Sequence, residues 1–228
     1  MHQTIEPSIL YFGTPVVVIS TLNEDGSTNI APMSSAWWLG WSCMLGLDAT
    51  SQTSLNLRRC GECVLNLAGE ENVDAVDALA LLTGTRKLPA HKQALGYRFS
   101  RDKFAEAGLT AQASVHVRPE RIREFPIQLE ARVARIHDFA TEDPRLAIPS
   151  HAIEARIQEV HVHERLMDHQ HQHRIDSQQW RPLLMSFRHF FGLTAIGNGS
   201  RLSRGPEEMY APWKFAVSGS QLKGCPAP

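Results

Sequence analysis

The sequence predicts a mainly β protein, a β-barrel carrying a few helices. β-Branched and alternating apolar residues recur along the chain, first in PVVVIS (Pro15 to Ser20) and then over the long stretch from Ser114 to His137. Helical patterns, by contrast, are short, and each is stopped by a glycine.

The elements follow in order. Pro15 to Thr21 and Ser27 to Met33 flank Leu22-Asn23-Glu24-Asp25-Gly26, whose Asn, Asp and Gly supply turn geometry, so the two strands form an antiparallel hairpin. A third strand covers Cys43 to Leu47. Asp48 to Thr53 then opens a helix that runs to about Arg59 and ends at Gly61, and Glu62 to Leu67 returns to strand. Val73 to Leu82 reads as a helix stopped by Thr83-Gly84, and Arg101 to Ala107 as a helical turn ending at Gly108. From Ser114 to His137 the pattern is long β, with Ile122 and Glu124, then Ile127, Leu129, Ala131 and Val133 on one face. Pro144 to Ser150 is a loop. Ile153 to His163 continues as a strand, with a helix over Glu154 to His169 as the competing reading.

One stretch breaks the pattern. Ser27 to Ser35, STNIAPMSS, sits between two strongly apolar segments yet is small, hydroxylated and interrupted by Pro32. Proline has no amide to give a ladder, which confines it to a sheet edge or a bulge. The segment therefore offers a low, polar backbone surface where a packed strand would present bulk.

Composition narrows the function classes. The 228 residues, 43% hydrophobic, suffice for one domain with a sizeable core. A net charge of -1 provides no basic footprint for nucleic acid. No apolar run approaches the ~20 residues of a membrane span, and the N-terminus lacks a secretory pattern, so the expectation is a cytoplasmic protein without nucleic-acid or membrane partners. Cys43, Cys60, Cys63 and Cys225 are too few and too irregular for a disulfide scaffold. Cys60-Gly-Glu-Cys63 has redox and half-zinc spacing, but no second CxxC and no βαβ pattern accompanies it, which favours an ordinary helix end followed by a buried strand.

About twenty residues after STNIAPMSS comes a hydroxyl-rich helix entrance, with Thr50, Ser51, Thr53 and Ser54. Helix N-termini present free amides and a positive dipole end, suited to a phosphate monoester; simple N-capping is the alternative. Beside a flat polar strand, the pair suggests a planar, phosphorylated ligand.

Taken together, GTPVVVISTLNEDGSTNIAPMSSAWWLGW, SQTSLNLRRCGECVLNL, DKFAEAGLT, EFPIQLEA and WRPLLMSFRHFFGL resemble the flavin reductase-like family, which has the FMN-binding split-barrel fold. The resemblance spans nearly the whole chain, one domain over residues 1–228 with a C-terminal extension from about residue 174. It implies a homodimer that binds FMN near the subunit interface and takes a hydride from NADH or NADPH onto flavin N5, passing electrons to an acceptor it does not name. The family's motif maps onto Asn29, Ala31, Pro32, Met33, Ser34 and Ser35 for the ribityl chain and ring edge. Ser51, Gln52, Thr53 and Asn56 correspond to the phosphate segment, with Lys103 as a further phosphate contact. Relatives often carry a basic residue where this chain has Gln52, so one such contact would be neutral here. No acid-base catalytic residue is implied.

Other readings stay open. The main rival is an FMN-binding electron carrier or sensor without nicotinamide turnover. His161, His163, His169, His171 and His173 suggest a metal-binding split barrel instead, although no Cys, Asp or Glu at matching spacing closes such a site. Trp37, Trp38 and Trp41 are candidates to wall a nicotinamide, with core packing expected for at least two. Trp180 to Phe191 reads as packing or a subunit interface.

Overall fold

A computed structural model of the chain describes residues 1–7, 10–146, 148–171 and 173–193. The strands are β1 Phe12–Pro15, β2 Val17–Leu22, β3 Thr28–Met33, β4 Ala36–Leu39, β5 Ser42–Asp48, β6 Glu62–Leu67, β7 Leu82–Thr83, β8 Arg98–Phe99, β9 Ala111–Gln112, β10 Arg121–Ile122, β11 Ile127–Phe139, β12 Ser150–Val162, β13 Leu184–Ser186 and β14 His189–Phe191. The helices are α1 Gln52–Cys60, α2 Val73–Leu79, α3 Ala90–Ala94 and α4 Lys103–Glu106. Cys225 and the far end of the C-terminal extension lie outside the described residues.

Seven strands form one antiparallel sheet in the order β3-β2-β6-β11-β12-β5-β4. β2 explains why PVVVIS is continuously apolar. Val17 and Ile19 point into one core cluster with Leu45, Leu57, Leu65, Leu129 and Ile153. Val16 and Val18 point into another, with Ile30, Val76, Leu79, Ile122 and Phe125. Alternation therefore has no polar face to show, and each fully buried aliphatic side chain contributes about 1.5–3 kcal/mol. The hairpin forms as expected, with Val17 opposite Met33 and Leu22 opposite Thr28. Gly26, at φ 83°, supplies the left-handed turn position. At the end of α1, Gly61 takes φ 66° and its amide bonds Leu57 O, so helix passes straight into β6.

Several expectations change. β12 is a strand throughout Ser150–Val162, which removes the helix over Glu154 to His169. α2 stops at Leu79, and Leu82–Thr83 is instead a short strand paired in parallel with β8. A strand, β4, also forms in the tryptophan-rich segment, with Trp37 and Leu39 exposed and Ala36 and Trp38 turned to the core. Trp41 is about half exposed, so only Trp38 of the three tryptophans packs inside. Residues 113–120 are a bent loop. The amides of Val115, His116 and Val117 donate to the fully buried Glu130 carboxylate, which gives that loop the hydrogen bonds a strand partner would otherwise provide. Burial works to raise the Glu130 pKa; the amides and the His161 ring more than offset it and hold the carboxylate below its usual range.

The aromatic tail divides. Trp180 packs on the first cluster and Phe190 on the second, Phe187 meets Phe12 edge-on with ring centroids 4.9 Å apart, and Phe191 is exposed. No helix among the described residues is long and apolar enough to cross a membrane.

Candidate functional site

β3 is an edge strand, hydrogen-bonded to β2 alone within the sheet. The carbonyl of Ile30 points away from β2 and accepts from Lys103 Nζ at 2.9 Å. Pro32, two residues on, faces the same way, so its missing amide costs the ladder nothing. Beside this edge lies a cavity of about 400 Å³, a size typical of small-molecule sites.

The structure brings the sequence-nominated residues together here. Asn29, Ala31, Pro32, Met33, Ser34 and Ser35 form one wall, and Ser51, Gln52, Thr53 and Lys103 border the same space. Gly46 on β5 closes it: its amide donates to Ser35 O at 2.8 Å, and a Cβ there would stand 3.0 Å from the Ser35 Cβ. Asn56 is the exception. It borders a neighbouring cavity, is almost fully buried, and spends its amide nitrogen on Thr21 Oγ1 at 3.1 Å and Asn23 Oδ1 at 2.9 Å while its oxygen accepts from Gln52.

The hydroxyl-rich helix entrance proves half structural. Thr50 donates to Asp48 at 2.7 Å and does not line the cavity. Ser54 is fully buried against His151 Nδ1 at 3.0 Å. Ser51 caps the helix by accepting from the Ser54 amide, and Thr53 sits 3.4 Å from Asn29 Nδ2. The amides of Gln52 and Thr53, in the first turn of α1, have no intrahelical acceptor by the geometry of any helix start.

Lys103 carries the electrostatics. Its side chain is buried, and its ammonium donates to two neutral oxygens, Asn29 Oδ1 at 3.0 Å and Ile30 O at 2.9 Å. Burial, with Lys92 nearby, pushes its pKa down to about 7. A buried cation held, among the described residues, by neutral acceptors at the rim of an open cavity is matched by an anion such as a phosphate. The small-residue wall accepts a planar ring, and the residues present fit a phosphorylated flavin.

Sequence reasoning missed Tyr11, Asp48, Lys92 and Tyr97, which also line the cavity, with Lys92 Nζ 3.2 Å from Asp48 Oδ2. Lys92 lies in the short helix α3 and Tyr97 just before β8, in a stretch without periodicity, and Tyr11 precedes the first strand signal. Only the Asx-type Asp48-Ala-Thr-Ser pattern offered a clue.

Competing constellations resolve differently. Folding does assemble Ser54, His151 and Asp138, with His151 Nε2 3.6 Å from Asp138, but the Ser54 hydroxyl is fully buried, so the set ties α1 to β12 and presents no nucleophile. Cys63 and Cys43 are buried and burial pushes both thiols up to about 12, far from a reactive thiolate. Among the described residues no tryptophan lines the cavity. Among the described residues no group of three or more His, Cys, Asp or Glu is placed to hold a metal. His161 is engaged by Glu130 at 2.8 Å and His171 by Asp168 at 2.9 Å.

The chain is 38% identical over 191 residues to the uncharacterized protein YdfE of Bacillus subtilis strain 168, covering 84% of this chain and 89% of that one. Its fold is similar to that of flavoredoxin of Desulfovibrio vulgaris (Miyazaki F), with a TM-score of 0.70 at 18% identity over 90% of this chain and 100% of the other. It is similar too to nitrilotriacetate monooxygenase component B from Bacillus cereus, with a TM-score of 0.67 at 19% identity, over 87% and 99% of the two chains. The sequence model of the flavin reductase like domain matches residues 9–194, the span that holds the seven-stranded sheet, the small-residue edge and Lys103, and the chain accordingly belongs to the flavin reductase-like family of split-barrel flavoproteins.

Proposed function

We propose that this protein is an NAD(P)H-dependent flavin reductase that binds FMN, works as a cytoplasmic homodimer and hands electrons to a separate acceptor. The observation that carries the reading is Lys103, a buried ammonium with neutral partners at one end of a cavity whose long wall is a small-residue edge strand. Bound there, the flavin would supply the electron chemistry, a two-electron reduction by NADH or NADPH through hydride transfer to N5.

The chain's own residues would bind, orient and shield. Lys103, Thr53, Ser51 and the first-turn amides of α1 would hold the phosphate; Gln52 would add a neutral hydrogen bond. Asn29 is fixed by Lys103 and Thr53 and would stand beside the ribityl chain. Ala31 to Ser35 would lie against the ring, Ser34 and Ser35 being small enough to leave its volume free. No side chain needs to donate or accept a proton at a reacting carbon.

Dimerisation is supported by Trp37, Leu39 and Trp41, exposed around the free edge of β4, and by exposed Phe187 and Phe191. An apolar set of that kind is unusual on a monomer. Light scattering at micromolar concentration should give twice 25.5 kDa. The function itself is tested by the absorption spectrum of the purified protein with added FMN, followed by NADH and NADPH oxidation. Bound flavin with no oxidation of either nucleotide would sink the reductase reading and leave an electron carrier.

A further inference from the structure

Lys103 has a chemistry that phosphate binding leaves unused. A lysine ammonium carries three N–H donors, whereas the neutral amine carries two and a lone pair. Two neutral acceptors meet Lys103 Nζ, Asn29 Oδ1 at 3.0 Å and Ile30 O at 2.9 Å. They satisfy both donors of the amine and leave its lone pair for the cavity that the side chain borders. In the ammonium the same position is a third N–H, which suits an anion.

The surroundings favour the amine while no anion is bound. Burial disfavours the charge, Lys92 adds a like charge, and Glu106 on α4 pulls the other way without restoring the ordinary value. With the pKa near 7, a substantial share of ligand-free chains carries a nucleophilic amine at neutral pH. Lys92 borders the same cavity but has a carboxylate partner, Asp48 at 3.2 Å, which suits an ammonium. The cavity also holds the means to select an electrophile. Asn29 gives its Oδ1 to Lys103 and its Nδ2 lies 3.4 Å from Thr53 Oγ1, so one carboxamide separates the amine from the first turn of α1. A three-carbon chain with an aldehyde at one end and a phosphate at the other spans that interval, its phosphate on the first-turn amides and its carbonyl carbon at Nζ.

We infer that Lys103 is a modification site, which in the flavin-free chain takes short phosphorylated aldehydes as a Schiff base. The inference rests on the same reading of the α1 end as a phosphate site that the flavin proposal uses. The amine lone pair forms the N–C bond, the carbonyl π pair moves to oxygen, and two protons from nitrogen leave with that oxygen as water, giving C=N. No oxidant or reductant takes part. The adduct fills the phosphate end and excludes FMN, so aldehyde phosphates compete with flavin loading.

Reductive trapping in the full, ligand-free chain near neutral pH decides. Glyceraldehyde 3-phosphate is added with cyanoborohydride, and peptide mass mapping gives the label at each lysine. Lys103 should be labelled at least tenfold more than Lys87, which is exposed. Glyceraldehyde, which lacks the phosphate, should label Lys103 at least tenfold less at the same concentration, and saturating FMN should cut the phosphorylated label at least tenfold. Labelling of Lys103 no greater than that of Lys87 overturns the inference. So does equal labelling by the two aldehydes, or undiminished labelling in protein that fluorescence quenching shows to hold FMN. Protein that binds no FMN yet is labelled selectively at Lys103 by the phosphorylated aldehyde upholds the inference and sinks the flavin reading instead.

Discussion

The helix entrance at Ser51 to Ser54 and the histidine stretch from His161 to His173 look alike as text: each is a dense run of side chains able to hold a ligand. The fold treats them oppositely. At the entrance, two of the hydroxyl residues border a cavity that also receives a buried ammonium and the edge of β3. Along the histidine stretch, three of the five rings are spent on neighbours: His161 on Glu130, His163 on the Arg165 amide, His171 on Asp168. Density of donors therefore does not define a site. What does is a group of them left under-satisfied toward one shared volume.

That contrast can be broken experimentally, and the largest effect should come from volume. Ser34→Leu fills the space beside the edge strand and should weaken FMN by at least ~100-fold, about 2.7 kcal/mol, with the circular dichroism spectrum unchanged. Unaltered FMN quenching in this variant would move the ring elsewhere.

Next comes charge. Lys103→Met removes a charge-assisted contact and should raise the FMN dissociation constant by roughly 10- to 100-fold while leaving riboflavin, which lacks the phosphate, nearly unchanged. Two pH effects follow. With its folded pKa near 7 and 10.5 as its ordinary value, Lys103 binds fewer protons in the folded chain than in the unfolded one between those pH values. The ligand-free wild type should thus gain stability as pH rises from about 7 to 10.5, and Lys103→Met should lack that gain in thermal melts. FMN favours the charged ammonium, so wild-type FMN affinity should be greatest between about pH 6, the midpoint of a phosphate monoester's second ionisation, and pH 7, and should fall above that. A riboflavin titration with the same pH slope would remove Lys103 from the phosphate end.

Smaller still is Thr53→Ala, the loss of one neutral hydrogen bond, at about 0.5–1.5 kcal/mol or roughly three- to tenfold in FMN affinity. Smallest is the histidine side of the comparison. His171→Ala should change FMN affinity by less than about twofold, because among the described residues its ring serves Asp168 on the surface. A tenfold change there would mean that the two regions are coupled.

Much of this was legible before the fold was known, for identifiable reasons. The β2–β3 hairpin announces itself through β-branched residues around an Asn-Glu-Asp-Gly turn, and α1 through Ser51 and Gly61, because those signals act locally. The small-residue wall was legible as an absence of bulk. The loop at 113–120 was misread as strand because Val115 and Val117 alternate correctly, and only the distant Glu130 decides where its amides go. Asp48, Lys92 and Tyr97 were invisible for a similar reason: tertiary placement, not local pattern, turns them toward the cavity. Ser54 illustrates the reverse error, a hydroxyl nominated by its neighbours and then buried by a histidine from β12.

Pro32 has a consequence beyond the ligand. An open sheet can be extended by any chain that finds free donors and acceptors along its outer strand, the route by which β proteins aggregate or swap strands. On β3 that route is blocked twice, by the absent amide of Pro32 and by Lys103 occupying the Ile30 carbonyl. β4 at the opposite edge has no proline and shows Trp37 and Leu39 to solvent. The sheet is thus polarised for growth: a stray strand meets a closed side at the cavity and an adhesive side at β4, and the cavity wall doubles as a guard against polymerisation.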